Sequence, residues 1–169
     1  YGAFGAGVLQ NTCGIPEVEW IPHGLKADVF QPRDKTAGKL ALGVSKAHPL
    51  IGCNMTNQPR KDWGMAIGLL AALKTIYPDV KMWAHVDSLT MHWDLRALTH
   101  DFGVQDRVVF TESGGYDDKE LSYMYSACDL TILPSLGEGF GYPIVESLAC
   151  GVAVLHVKYA GGVELIPRS

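Results

Sequence analysis

Five short apolar runs, Leu50 to Asn54, Val80 to Val86, Val108 to Thr111, Leu130 to Leu133 and Val152 to Val157, recur through the last two thirds of the chain with helical spacing between them. This alternation constrains the fold more than any other feature. Each run is apolar throughout rather than at every second residue, so each strand must be covered on both faces, and that requires a parallel sheet between helical layers. The intervening helices are predicted over Trp63 to Tyr77, over Thr90 to Phe102 and from Asp117 onward. The first is capped by Asp62 and apolar on nearly every side, which predicts deep burial. The second carries Met91, Leu95, Leu98 and Phe102 on one face and ends at Gly103. The third opens with Asp117 and Glu120 in capping-box register and continues with Leu121, Met124, Tyr125 and Cys128, which read as core. The fold class is α/β: a doubly wound, Rossmann-like parallel sheet.

At 169 residues and 47% hydrophobic content the chain can bury one substantial core. A net charge of −4 excludes a general polyanion surface, so an anion site must be a local concentration of donors. Cys13, Cys53, Cys128 and Cys150 lack metal or C-x-x-C spacing and read as reduced thiols of a cytoplasmic protein. The longest apolar stretch, Met65 to Leu73, is too short to cross a membrane. Residues 1–24 are expected to form a leading helix closed by Gly14, a short strand over Val18 to Ile21 and a linker; Gln31 to Lys46 reads as a surface connection. Residues 25–169 are expected to form the main domain. The start at Tyr1 and the stop after Arg168 and Ser169, without a cap or tail, suggest a fragment.

In doubly wound sheets ligands bind beyond the carboxyl ends of the strands, where strand order reverses; for the order 3-2-1-4-5 that crevice lies between strands one and four. Two unusual loops fall there. Strand one runs into Asn54 to Asp62, with Arg60 and Lys61 adjacent, and strand four runs into Pro134 to Gly151, with glycines at 137, 139 and 141 before a helix whose first turn contains Pro143. Backbone N–H groups at such a helix start favour an anion, and adjacent basic residues facing them would clamp a diphosphate. Glu138 and Glu146 do not suit a phosphate; they are read as acceptors for hydroxyl groups. A nicotinamide-dinucleotide enzyme is disfavoured, because its G-x-G-x-x-G belongs after the first strand.

These residues resemble the carboxyl-terminal half of a GT-B glycosyltransferase, most similar to the retaining group called glycosyltransferase family 4. The resemblance runs from Ile21-Pro22-His23-Gly24 through Asn57 to Asp62 and Ser126 to Leu130, then Glu138 to Glu146 as an E-x7-E pair, and Gly161 to Glu164. It implies that Glu146 accepts hydrogen bonds from the ribose of a nucleotide sugar and Glu138 touches the donor sugar. Gly139, Phe140 and Gly141 would meet sugar and diphosphate, Lys61 with Arg60 would neutralise the leaving diphosphate, Thr111 would lie near the base, and Gly161 and Gly162 would add amide donors. No cofactor and no metal are then expected, in keeping with the absence of a D-x-D. The family's additional arginine, five residues before the lysine, is Thr56 here. The resemblance further implies that an amino-terminal acceptor domain is absent, that the final strands are cut off after Pro167, and that the fragment alone transfers weakly or not at all. The donor would be a UDP-, GDP- or ADP-hexose and the acceptor a glycan, lipid or protein, in the cytoplasm or at a membrane periphery. An epimerase or phosphorylase-like relative, or an isolated nucleotide-binding module, are the alternatives.

Overall fold

A computed structural model describes residues 2–112, 114–158 and 160–165. Its centre is strand β1, Leu50–Asn54, flanked on one side by β2, Lys81–Val86, and β3, Val108–Glu112, and on the other by β4, Leu130–Leu133, and β5, Val154–His156. All neighbours are parallel and the order is β3-β2-β1-β4-β5, as the switch-point reading required. The register aligns Asn54 with His85 and His85 with Thr111, so the strands deliver these three residues side by side at one edge of the sheet.

Alternate strand residues feed two cores. On one face Ile51, Cys53, Met82, Ala84 and Val86 pack against Trp63, Ala66, Ile67 and Leu70 of α3, Trp63–Leu73, and against Leu95 of α4, Leu95–Asp101. On the other, Leu50 and Trp83 meet Met124, Tyr125 and Ala127 of α5, Asp118–Ala127, together with Phe30, Leu42 and Val44. A fully buried leucine or isoleucine contributes about 1.5–3 kcal/mol, so these faces carry most of the fold's stability. The remaining helices are α1, Ala3–Cys13, which ends at a left-handed Gly14, α2, Lys35–Ala41, and α6, Tyr142–Ala149, with a 3₁₀ turn at Ala160–Glu164 after β5.

Several sequence expectations are corrected. Residues 31–46 are not merely a surface connection: Asp34 accepts from Thr36 N and Ala37 N and so starts α2, which lies on α5. No strand forms over Val18 to Ile21; the segment pairs with nothing in the sheet, and Ile21 is 84% exposed. α3 stops at Leu73 and gives way to turns over residues 74–76, in which Thr75 N and Ile76 N bond to the carbonyls three residues back, short of the expected end at Tyr77. Its burial is one-sided, with Met65 turned outward at 55% exposure. α4 begins only at Leu95, where Asp94 caps Ala97 N, which leaves Met91 in the preceding loop. The readings placed on Pro167, Arg168 and Ser169 lie outside the described residues.

Candidate functional site

The loop after β1 is pinned before it reaches its basic residues. Asn57, fully buried, receives Trp93 N at its Oδ1 (3.0 Å) and donates through Nδ2 to the carbonyls of Ser88 (3.0 Å) and Trp93 (2.8 Å). Its own N–H donates to Asp87 Oδ1 at 2.6 Å. A 3₁₀ turn, Pro59–Lys61, follows, and Asp62 then takes a left-handed conformation (φ 52°) while its carboxylate accepts Met65 N at 3.0 Å, so one residue both ends the turn and caps α3. The result fixes Arg60 and Lys61 beside β4.

The loop after β4 comes to meet them. Leu136 N donates to Arg60 O at 2.8 Å, Arg60 Nη1 donates to Gly137 O at 2.6 Å and reaches Glu138 Oε2 at 3.3 Å, and Lys61 Nζ donates to Glu138 Oε1 at 2.5 Å. The Lys61 and Glu138 side chains are only 8% and 7% exposed. Burial pushes the Glu138 carboxyl up, but the hydrogen bond from Lys61 and the charges of Lys61 and Arg60 outweigh it, so the group sits below the ordinary carboxylate range. Among the described residues the two cations therefore converge on a carboxylate of their own chain. Behind them Gly161 N donates to Glu138 O at 3.3 Å, and a Cβ on Gly161 would strike the Gly139 carbonyl. That amide already holds the turn closed, and Gly162 packs against the His156 ring.

Gly141, at φ 94°, ends the turn in a conformation that disfavours side chains, and α6 starts with no side-chain cap on its N–H groups. The Phe140 ring meets His23 of the leading segment at 5.1 Å and Tyr142 of α6 at 5.2 Å. One turn into α6, Glu146 Oε2 accepts Tyr125 OH at 2.7 Å, and Asn54 Nδ2 donates to that same hydroxyl at 2.8 Å. Burial raises the Glu146 carboxyl above its ordinary value; the Tyr125 bond lowers it and Asp118 raises it further. Thr111 lies farther along the sheet edge, hydrogen-bonded to Trp83 Nε1 (2.9 Å) and His85 Nδ1 (2.8 Å).

The structure thus gathers Arg60, Lys61, Glu138, Gly139 and Gly161 into one contact cluster and links Glu146 through Tyr125 to β1, while Thr111 stands two strands away beside His85. Asn54 and Tyr125 were missed as site residues. A polar residue ending an apolar strand was the available signal for Asn54; Tyr125 offered none, since its spacing marks only its ring.

The family model for glycosyl transferases group 1 matches residues 69–167, more than half of the chain. The chain belongs to this family. One curated relative, the D-inositol 3-phosphate glycosyltransferase of Mycobacterium sp. (strain KMS), is 28% identical over 154 residues, covering 91% of this chain and 35% of that protein. Sucrose-phosphate synthase from Thermosynechococcus elongatus superposes with a TM-score of 0.82 at 21% identity, over 95% of this chain and 40% of that one. Anabaena HepE, solved in complex with UDP-glucose, gives a TM-score of 0.73 at 26% identity, over 86% of this chain and 40% of that one. These neighbours carry the GT-B glycosyltransferase architecture, and this chain's group 1 sheet is one Rossmann-like half of it. The chain spans about a third of the length of the curated relative.

Proposed function

We propose that this chain is the donor-binding part of a retaining, metal-independent glycosyltransferase of family 4, moving a hexose from a nucleoside diphosphate to an acceptor held by a domain outside this sequence. The observation that carries the proposal is the convergence of the β1 and β4 loops at the switch point, with two cations and one carboxylate in mutual contact and a second carboxylate one turn into α6. When the bond between the anomeric carbon and the diphosphate oxygen breaks, negative charge accumulates on the leaving diphosphate, and Lys61 and Arg60 are the groups placed to stabilise it. Lys61 has three N–H donors, so it can hold Glu138 and a phosphate oxygen together. Glu138 then accepts from a hydroxyl of the donor sugar, Glu146 from the ribose, the backbone of Gly139, Phe140 and Gly141 borders sugar and diphosphate, and Thr111 lies toward the base. Gly162 is the remaining glycine that could offer an amide. The likeness to a UDP-glucose complex supports a nucleotide-sugar ligand.

Isothermal titration of the chain with UDP, GDP, ADP and their hexoses, with and without EDTA, tests this reading. Binding of one diphosphate series, unaffected by EDTA, is expected. No binding of any of them at millimolar concentration would sink the proposal, and a requirement for a divalent cation would remove its metal-independent part.

A further inference from the structure

The polar link Asn54–Tyr125–Glu146 joins three elements, β1, α5 and α6, and its direction is fixed. An ionised Glu146 can only accept, so the Tyr125 proton belongs to Glu146, and the Tyr125 oxygen must in turn be approached by a donor; the Asn54 amide nitrogen, at 2.8 Å, is that donor. The phenol cannot swing away. It is 1% exposed, and its ring is held edge-to-face by Trp83 (5.6 Å, 90°) and Phe30 (6.4 Å, 63°). Among the described residues no other hydrogen bond reaches the Glu146 carboxylate, although Thr131 and Ser147 anchor the same helix to β4 at 2.7 Å. Packing alone would be served by phenylalanine, so the hydroxyl answers to Glu146.

We propose that Tyr125 is a positioning residue for Glu146: driven from Asn54, it occupies one carboxylate oxygen and turns the other toward the two ribose hydroxyls of the bound nucleotide. This rests on the proposed donor-binding role of Glu146 and makes ribose recognition depend on a hydroxyl that never touches ligand. Loss of the link should act on the ribose alone, leaving contacts to base and diphosphate unchanged.

The test is titration of the 169-residue chain with UDP, GDP and ADP, each beside its 2′,3′-dideoxy counterpart, for the unaltered chain, Tyr125→Phe and Asn54→Asp. The second variant keeps the ring and offers the phenol a competing acceptor, so it reverses the link without emptying the core. The unaltered chain is expected to prefer the ribose form by at least about tenfold, equivalent to ~1.4 kcal/mol, and both variants to bring that ratio toward one with dideoxy affinity unchanged. An unchanged ratio in Tyr125→Phe overturns the inference, as does a parallel loss of both ligands, which would mark general packing damage. If the unaltered chain binds diphosphates without preferring ribose, the role of Glu146 falls and the inference with it. If it binds none, the donor-binding reading itself has failed.

Discussion

Lys61 and Glu138 show how a site residue can also be a structural one. Both side chains are nearly buried, and removing one leaves the other charge without its partner, which typically costs about 3–5 kcal/mol. Lys61→Met should therefore lower the unfolding free energy by an amount of that order, reduced where Arg60 compensates. Adding Glu138→Gln should restore much of it; denaturant titration of both variants would show no recovery if the pair carried no energy. On the ligand side, Lys61→Met should weaken diphosphates more than nucleosides. Glu146 has the opposite linkage. Its carboxyl is raised in the fold, so ionisation costs more there than in the unfolded chain, and stability falls as pH rises through the folded value. Glu146→Gln should then be more stable than the unaltered chain at pH 7, with the gain vanishing below the ordinary carboxylate range, while Glu146→Ala should lose roughly 1.5–3 kcal/mol of nucleotide affinity per hydroxyl contact. Thermal unfolding across pH and titration together decide whether stability and binding oppose each other here.

Among the elements, those defined by burial were legible. β1 and β4 could be placed to the residue because continuous apolar runs have no other home than a covered parallel sheet, and α5 because Asp117 and Glu120 close a capping box that forms as read. α2 was not legible. Its seven residues have no apolar period; it is buried through Gly38 and the stem of Lys39, whose ammonium reaches Asp129 at 3.1 Å and the His48 carbonyl at 2.6 Å. A Cβ at Gly38 would lie 2.6 Å from Tyr123 O and 2.8 Å from Ala127 Cβ. Gly38→Ala should thus push α2 off α5 and cost about 1–3 kcal/mol, despite the better helix propensity of alanine; a stabilised variant in urea denaturation would refute that packing. The candidate site divides in the same way. Arg60, Lys61 and Glu138 stood out as polar residues in two loops whose position the strand order dictates, whereas their mutual contact, and the tyrosine behind Glu146, depend on directions of side chains that spacing does not encode.

For the molecule as a whole, the balance of titrating groups sets an acid limit. Burial raises Asp129, but Lys35, the Leu50 amide and Lys39 more than reverse it, and Glu138 is lowered likewise. Groups depressed in the fold stabilise it above the ordinary carboxylate range and lose that contribution as pH falls through their folded values, so the chain should lose stability in acid. The Lys61→Met, Glu138→Gln double variant should retain more of its stability there, a comparison circular dichroism can make. No helix among the described residues is long and apolar enough to cross a membrane. Apolar side chains nevertheless remain open on α1 and the segment after it, Phe4 at 50%, Trp20 at 45% and Ile21 at 84% exposure among them.

The hydrogen bond from Leu136 N to Arg60 O has a practical consequence. It places an amide in an irregular loop, beneath a side chain that is 57% exposed, under the control of a contact between two distant loops. Such an amide exchanges its proton with solvent only when the loops part, so in a nuclear magnetic resonance spectrum the Leu136 signal is a built-in gauge of cleft opening, readable without any substrate.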